Sequence, residues 1–270
     1  MMLPAARQTS ILNWAREHGT VRVAELAETL DVSEMTVRRD IDTLVTSGLL
    51  RRVHGGAVLP AGTSTDEPGF ERKLTREDAE KEAIAREAAS MVTPGMAIGL
   101  SAGTTTWHLA NHLATMSGLA VVTNSVQIAS VFYERDDPSV HVLLTGGQRT
   151  PSDALVGPIA ISALRQLHLD ILFLGVHGMD ENVGFTTPNL LEAETNRALV
   201  ASARRTVVVA DHTKWNTIGI STIALLGDAA VVISDDGLPA HAREVLREEV
   251  GELRIASVEP EMTALSRTSA

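Results

Sequence analysis

Apolar positions recur with a helical period three times in the first fifty residues and then fall in short unbroken runs, and that change of period divides the chain. Ile11, Leu12, Trp14 and Ala15 predict a helix from Arg7 to His18, stopped by Gly19, and Val23, Leu26, Ala27 and Leu30 predict a second, shorter one. The third helix is expected over Ser33–Gly48, with Ser33 as N-cap, Glu34 on the positive end of the helix dipole and Gly48 as the stop. At 100° per residue Val37, Ile41, Leu44 and Val45 share its inward face. Met35, Thr36 and Arg39 point away, and Arg38 sits on the flank. Leu50–His54 then reads as a strand and Gly55-Gly56 as a tight turn. The Pro-, Gly-, Ser- and Thr-rich stretch from Pro60 to Gly69 reads as a linker, so the expected organisation is a domain over 1–59, a linker over 60–70 and a second domain over 71–270.

Beyond the linker, Glu71–Met91 is expected to form one long charged helix that buries Ile84, Ala85, Ala88 and Ala89. Six apolar runs follow: MAIGL, LAVVT, VHVLLTG, DILFLG, TVVVAD and AAVVISD. Helical segments begin at Thr104, Ser125, near Pro158, at Asn189 and at Pro239. Unbroken apolar strands separated by helices are buried on both faces, which predicts a doubly wound, mostly parallel α/β domain.

Charge sharpens this division. The formal net charge of −11 argues against indiscriminate binding of polyanions, which depends on excess Lys and Arg. In residues 1–58 seven arginines cancel seven acidic residues, so the whole excess of acid lies in the remainder. Four of those seven arginines fall between Arg38 and Arg52, so the positive charge of the first domain is local. The absence of cysteine excludes disulfides and thiolate metal sites and fits a reducing compartment. No signal-peptide core or apolar run of about 18 residues is present, so a cytoplasmic protein without a membrane partner is expected.

In open parallel sheets ligands bind beyond the carboxyl ends of strands, so the residues after each apolar run are the candidate site. Ser101, Gly103, Thr104, Thr105 and Thr106 form a small polar loop opening a helix, suited to a phosphate. Asn124 and Ser125, Gly146 and Gly147, Gly175, His177 and Gly178, and Asp211 and Lys214 follow the later runs and suit a hydroxylated, charged small molecule. Glu192 and Glu194 are candidate general bases, set against the reading of solvated helix glutamates. Neither a GxGxxG nor a GxxxxGK[ST] loop is present, so no cofactor is expected. His108 and His112 have the i, i+4 spacing of zinc ligands but lack an intervening glutamate and a third ligand, so an ordinary surface helix and no metal are expected.

In the first domain, two helices joined by a short turn and followed by a hairpin suit a winged helix-turn-helix. Ser33, Met35, Thr36, Arg38 and Arg39 would then enter the major groove of double-stranded DNA, with Arg51, Arg52 and His54 of the wing reaching phosphates or the minor groove. The alternative is a solvated helix in which Arg38 and Arg39 pair with Asp40 or Asp42. The stretches VSEMTVRRDIDTL, GLLRRVHGGAV, AGTTT, VVTNS, LTGG, FLGVHG and ADHTKW, in this order, resemble the DeoR family of bacterial transcriptional regulators over nearly the whole chain. The resemblance implies a repressor of sugar-catabolism genes, a homo-oligomer (dimer or tetramer) binding operator DNA and released by a phosphorylated sugar. It also implies a second domain similar to ribose-phosphate isomerase, with Gly103, Thr104 and Thr105 as phosphate loop and Lys214 facing the effector. The chain departs from the common family pattern at Ser101, Asn196 and Thr213. A sugar-phosphate isomerase or deaminase with an accessory DNA-binding domain is the alternative function, since one fold hosts both binding and turnover.

Overall fold

The computed structural model describes residues 4–258 apart from 19, 48–49, 54 and 59–68, and the chain divides into two units, Met1–Gly62 and Thr63–Ala270. The first contains α1 (Pro4–His18), β1 (Thr20–Arg22), α2 (Val23–Thr29), α3 (Glu34–Thr46), β2 (Arg51–Val53) and β3 (Gly56–Val58). Asp31, in the left-handed region at φ 50°, turns the chain between α2 and α3, a conformation that Asp tolerates better than most residues. Ile11, Ala15, Leu26, Val37, Ile41, Leu44 and Leu50 close the core of this unit. The wing has three antiparallel strands in the order β1-β3-β2, and β1 is too short to show a period in the sequence. Gly56 makes the β1 contact possible, because a Cβ there would lie 1.8 Å from the Val21 carbonyl oxygen.

The second unit begins with α4 (Phe70–Leu74) and α5 (Asp78–Ala89), followed by β4 (Ala97–Leu100), α6 (Thr104–Leu113), β5 (Ala120–Thr123), α7 (Val126–Tyr133) and β6 (His141–Leu144). A hairpin of β7 (Gln148–Arg149) and β8 (Leu155–Val156) leads to α8 (Pro158–Leu164), β9 (Ile171–Gly175), β10 (Gly178–Asp180), β11 (Gly184–Thr187) and α9 (Leu190–Ser202). The chain ends through β12 (Thr206–Val209), β13 (Ser221–Ala224), β14 (Val231–Asp235), α10 (Ala240–Glu249) and β15 (Leu253–Ala256).

Seven of these strands form a wholly parallel sheet in the order β6-β5-β4-β9-β12-β14-β15, as the apolar runs predict. Alternate residues feed two cores: Ile171 and Phe173 pack with α5, α6 and α7, while Leu172 and Leu174 pack with α8, α9 and α10. The chain runs outward from β4 to β6 and then returns to lay β9 against the other side of β4, so the order reverses between β4 and β9. A separate antiparallel sheet, β10-β11-β13, and the strand β15 lie outside the sequence expectation.

The single helix expected over Glu71–Met91 is two. Glu77 adopts a left-handed conformation (φ 49°) that interrupts it between α4 and α5. The buried Lys81 ammonium donates to the Lys73 carbonyl at 2.6 Å and to the Arg76 carbonyl, satisfying groups that a helix end leaves free. Phe70, expected in the linker, instead opens α4 and packs edge-on to Trp107 of α6. The remaining linker, except Gly69, lies outside the described residues.

Candidate recognition face and effector crevice

Ser33 caps α3 by accepting from the Thr36 amide (3.2 Å), and its hydroxyl lies 2.9 Å from that of Thr36. Val37, Ile41 and Leu44 are buried, Val45 is half-buried, Met35 is 61% exposed, and Arg38 and Arg39 are exposed. The charges do not pair as the solvated-helix alternative has them. Asp40 is buried and holds Arg7 of α1 (2.5 Å), Arg38 meets Glu34 (3.0 Å), and Asp42 meets Arg52 of the wing (2.5 Å). Arg39 makes no ion pair among the described residues. The Arg52–Asp42 pair joins β2 to α3, so wing and helix present one outward surface. Arg51 opens β2, while Gly48 and His54 lie outside the described residues.

In the second unit Ser101, Asn124, Gly175, Asp211 and Asp235 all follow or end parallel strands and share the carboxyl edge of the sheet. Several expected ligand contacts are spent on shaping this edge. The Ser101 hydroxyl accepts from the Gly175 amide (2.9 Å), stitching β4 to β9 at the reversal point. Asn124 Oδ1 accepts from the Ala102 amide (2.8 Å), Ser125 caps α7 by accepting from the Ile128 amide (3.3 Å), and the Thr106 hydroxyl donates to the Ser101 carbonyl (2.7 Å). Thr104 and Thr105 differ: among the described residues their hydroxyls have no hydrogen-bond partner. They sit in the first turn of α6, where amides also lack helical partners, so hydroxyls, amides and dipole together suit an anion.

Other expected residues have backbone roles. Gly146 and Gly147 take φ of 71° and 124°, and a Cβ on Gly147 would stand 2.5 Å from the Val156 carbonyl oxygen. Gly178 lies in β10, where a Cβ would meet the Thr217 carbonyl oxygen at 1.9 Å, and the His177 amide donates to the Thr186 carbonyl. Glu192 accepts from Thr150 (2.7 Å), from Ser152 and from Thr187 (3.2 Å), tying α9 to the β7–β8 hairpin and to β11. Glu194 is exposed on α9. His108 is buried rather than on a surface helix: it faces Glu82 (3.2 Å) and Asp78 (3.3 Å) of α5, and Glu82 also meets His112 at 2.7 Å. No group of three or more ligating residues able to hold a metal ion occurs among the described residues.

Beside this loop, across β9, lies an acid–base cluster that the sequence reading covers only at Asp211, His212 and Lys214. Asp211 is fully buried: one carboxylate oxygen accepts from the Thr213 amide (3.1 Å), and the other lies 3.5 Å from the Lys214 ammonium without a hydrogen bond. His212 Nδ1 lies 2.7 Å from Asp235 Oδ2, and this hydrogen bond pushes the imidazole up to about 8. Burial and the charge of Asp211 raise Glu77, while burial lowers Lys81. Asp235 could be found by the rule that picks out Asp211, as the last residue of an apolar run. Lys81 could be found as the charge one turn before Ile84 and Ala85 on the inward side of α5.

Residues 7–63 match the DeoR-like helix-turn-helix domain and residues 76–236 the DeoR C terminal sensor domain. The HTH-type transcriptional regulator YgbI of Escherichia coli (strain K12) is 35% identical over 259 residues, covering 96% of this chain and 100% of its own. The glycerol-3-phosphate regulon repressor of the same strain is 30% identical over 246 residues, 91% of this chain and 96% of its own. A solved D-ribose-5-phosphate isomerase in complex with phospho-erythronic acid shares 20% identity over 52% of this chain and 54% of that one, at a TM-score of 0.38, too remote to carry an argument. The chain belongs to the DeoR family of DNA-binding transcriptional regulators, with a helix-turn-helix domain followed by a sensor domain.

Proposed function

We propose that the chain is a sequence-specific repressor of carbohydrate-metabolism genes, acting in the cytoplasm, whose hold on operator DNA is released by a small phosphorylated sugar bound in the sensor unit. The observation that carries this reading is the pairing of an anion-ready loop at Thr104 and Thr105 with the Asp211–Lys214 pair two strands away. Neighbouring strands are about 4.8 Å apart, so the two features stand about 10 Å apart, a span that suits the phosphate and the hydroxylated end of one short sugar phosphate. The named function of the glycerol-3-phosphate regulon repressor supports this ligand class. A homo-oligomer, dimer or tetramer, would set paired winged helices on operator half-sites. The ligand acts only through a difference in affinity between the bound and free states.

The deciding experiment is operator release from the purified protein titrated with a panel of sugar phosphates at fixed salt. Dose-dependent release by one of them is expected, and retention against the whole panel would sink the effector assignment. On the DNA side, Arg39→Ala should remove base preference at about 1–3 kcal/mol, whereas Arg51→Ala should weaken all sequences evenly and lower the salt slope by about one. Unchanged operator preference in Arg39→Ala would rule out its groove role.

The His212–Asp235 pair favours one second reading, a sugar-phosphate isomerase or deaminase, because a histidine held by a carboxylate is general acid–base equipment. Turnover of ribose 5-phosphate or glucosamine 6-phosphate at about 1 per second or faster in a coupled assay would establish it.

A further inference from the structure

Lys81 stands between two parts of the molecule. Its ammonium, on a residue only 3% exposed, closes the elbow between α4 and α5 through the Lys73 and Arg76 carbonyls. Its helix packs against β12 and β14, and Asp211 and Lys214 lie close enough to act on its charge. Asp211 is the unsettled member of this group. One of its oxygens is buried without a hydrogen bond and relies on Lys214 at 3.5 Å, a pair loose enough for Lys214 to be drawn away by a competing anion. A buried carboxylate that loses its counterion must find another, since an unpaired buried charge is strongly unfavourable.

We propose that Lys81 couples occupancy of the crevice to the α4–α5 elbow: an anion that draws Lys214 off Asp211 leaves Asp211 to recruit Lys81, and the Lys73 and Arg76 carbonyls lose their donor. The elbow is then closed when the crevice is empty and loosened when it is filled. It includes α4, the first element after the residues that connect the two units, so the change falls on the connecting end of the sensor unit. Glu77, Asp78 and Glu80 on the first turn of α5, with His212 nearby, set the field in which Lys81 chooses between its partners. The inference rests on the crevice being the effector site.

Hydrogen exchange over residues 70–77 of the full chain tests it without a ligand. Lys214→Met should raise exchange there about tenfold, the loss of a charge-assisted hydrogen bond, and adding Asp211→Asn should restore wild-type exchange by removing the charge that attracts Lys81. Lys81→Met should exchange fast from the outset and be insensitive to Lys214→Met, with Lys81→Arg retaining the closed elbow. Wild-type exchange in both Lys214→Met and Lys214→Gln, or a rise that persists with Asp211→Asn, overturns the coupling. In a second arm, ribose 5-phosphate and inorganic phosphate are added to the wild-type protein. Calorimetric binding with no change at residues 70–77 overturns the coupling and leaves the proposed function standing. Failure of both to bind counts against that function, and the ligand-free variants still decide the coupling.

Discussion

Asp40 and His212 show how far a single residue's role depends on what the fold places beside it. Asp40 lies in the charged run of α3 that also carries Arg38 and Arg39, yet it faces inward and is matched by Arg7, 33 positions earlier. Removing one partner strands a buried charge: Arg7→Met should destabilise the first unit by about 3–5 kcal/mol in denaturant unfolding, while Arg7→Met with Asp40→Leu should recover most of the loss. His212 sets a pH dependence. Its folded value of about 8 lies above its ordinary 6.5, so its stabilisation is complete below about pH 6.5 and disappears as pH rises through 8. The effect on the sensor unit is on the order of 2 kcal/mol, and Asp235→Asn should flatten the profile between pH 6 and 9. A wild-type profile that is already flat would remove the ion pair from the account.

Elements here are held by side chains that reach well beyond their own helix or strand. Glu192 is the clearest case: three hydroxyls, from Thr150, Ser152 and Thr187, converge on its carboxylate and join α9 to the β7–β8 hairpin and β11. Glu192→Ala should therefore cost about 2 kcal/mol and speed hydrogen exchange in residues 148–156 before it affects β4 or β9. Exchange unchanged in the hairpin would show that the carboxylate does not hold it. The break between α4 and α5 follows the same logic. Residues 71–91 carry an acceptable helical period and only the buried Lys81, taken by two backbone carbonyls, accompanies the turn at Glu77.

For the whole molecule, two units with separate cores predict two unfolding transitions in calorimetry. A phosphorylated sugar in the crevice should raise only the transition of the sensor unit, by about 2.7 kcal/mol at a hundred times its dissociation constant. An operator duplex should raise the other, and a sugar phosphate that moved the helix-turn-helix transition alone would misplace the site. The sequence by itself determined much of this architecture, because both signals are local. The 3.6-residue period of Val37, Ile41 and Leu44 and the unbroken apolar runs of β4, β9, β12 and β14 follow from the need to bury one helix face or both sheet faces. It also marked the loops after those runs as a candidate site, since ligands gather at the carboxyl edge of a parallel sheet. What each loop residue does was decided only by tertiary structure. Ser101 and Asn124 read like ligand contacts, but their partners Gly175 and Ala102 lie 74 and 22 positions away, so their hydrogen bonds have no trace in local pattern. Thr104 and Thr105 are indistinguishable from Thr106 in sequence and are left unpartnered by the packing alone. Strand order brings Lys81, Asp211, His212 and Asp235 into one charged cluster, and buried charge is settled by neighbours in space rather than along the chain.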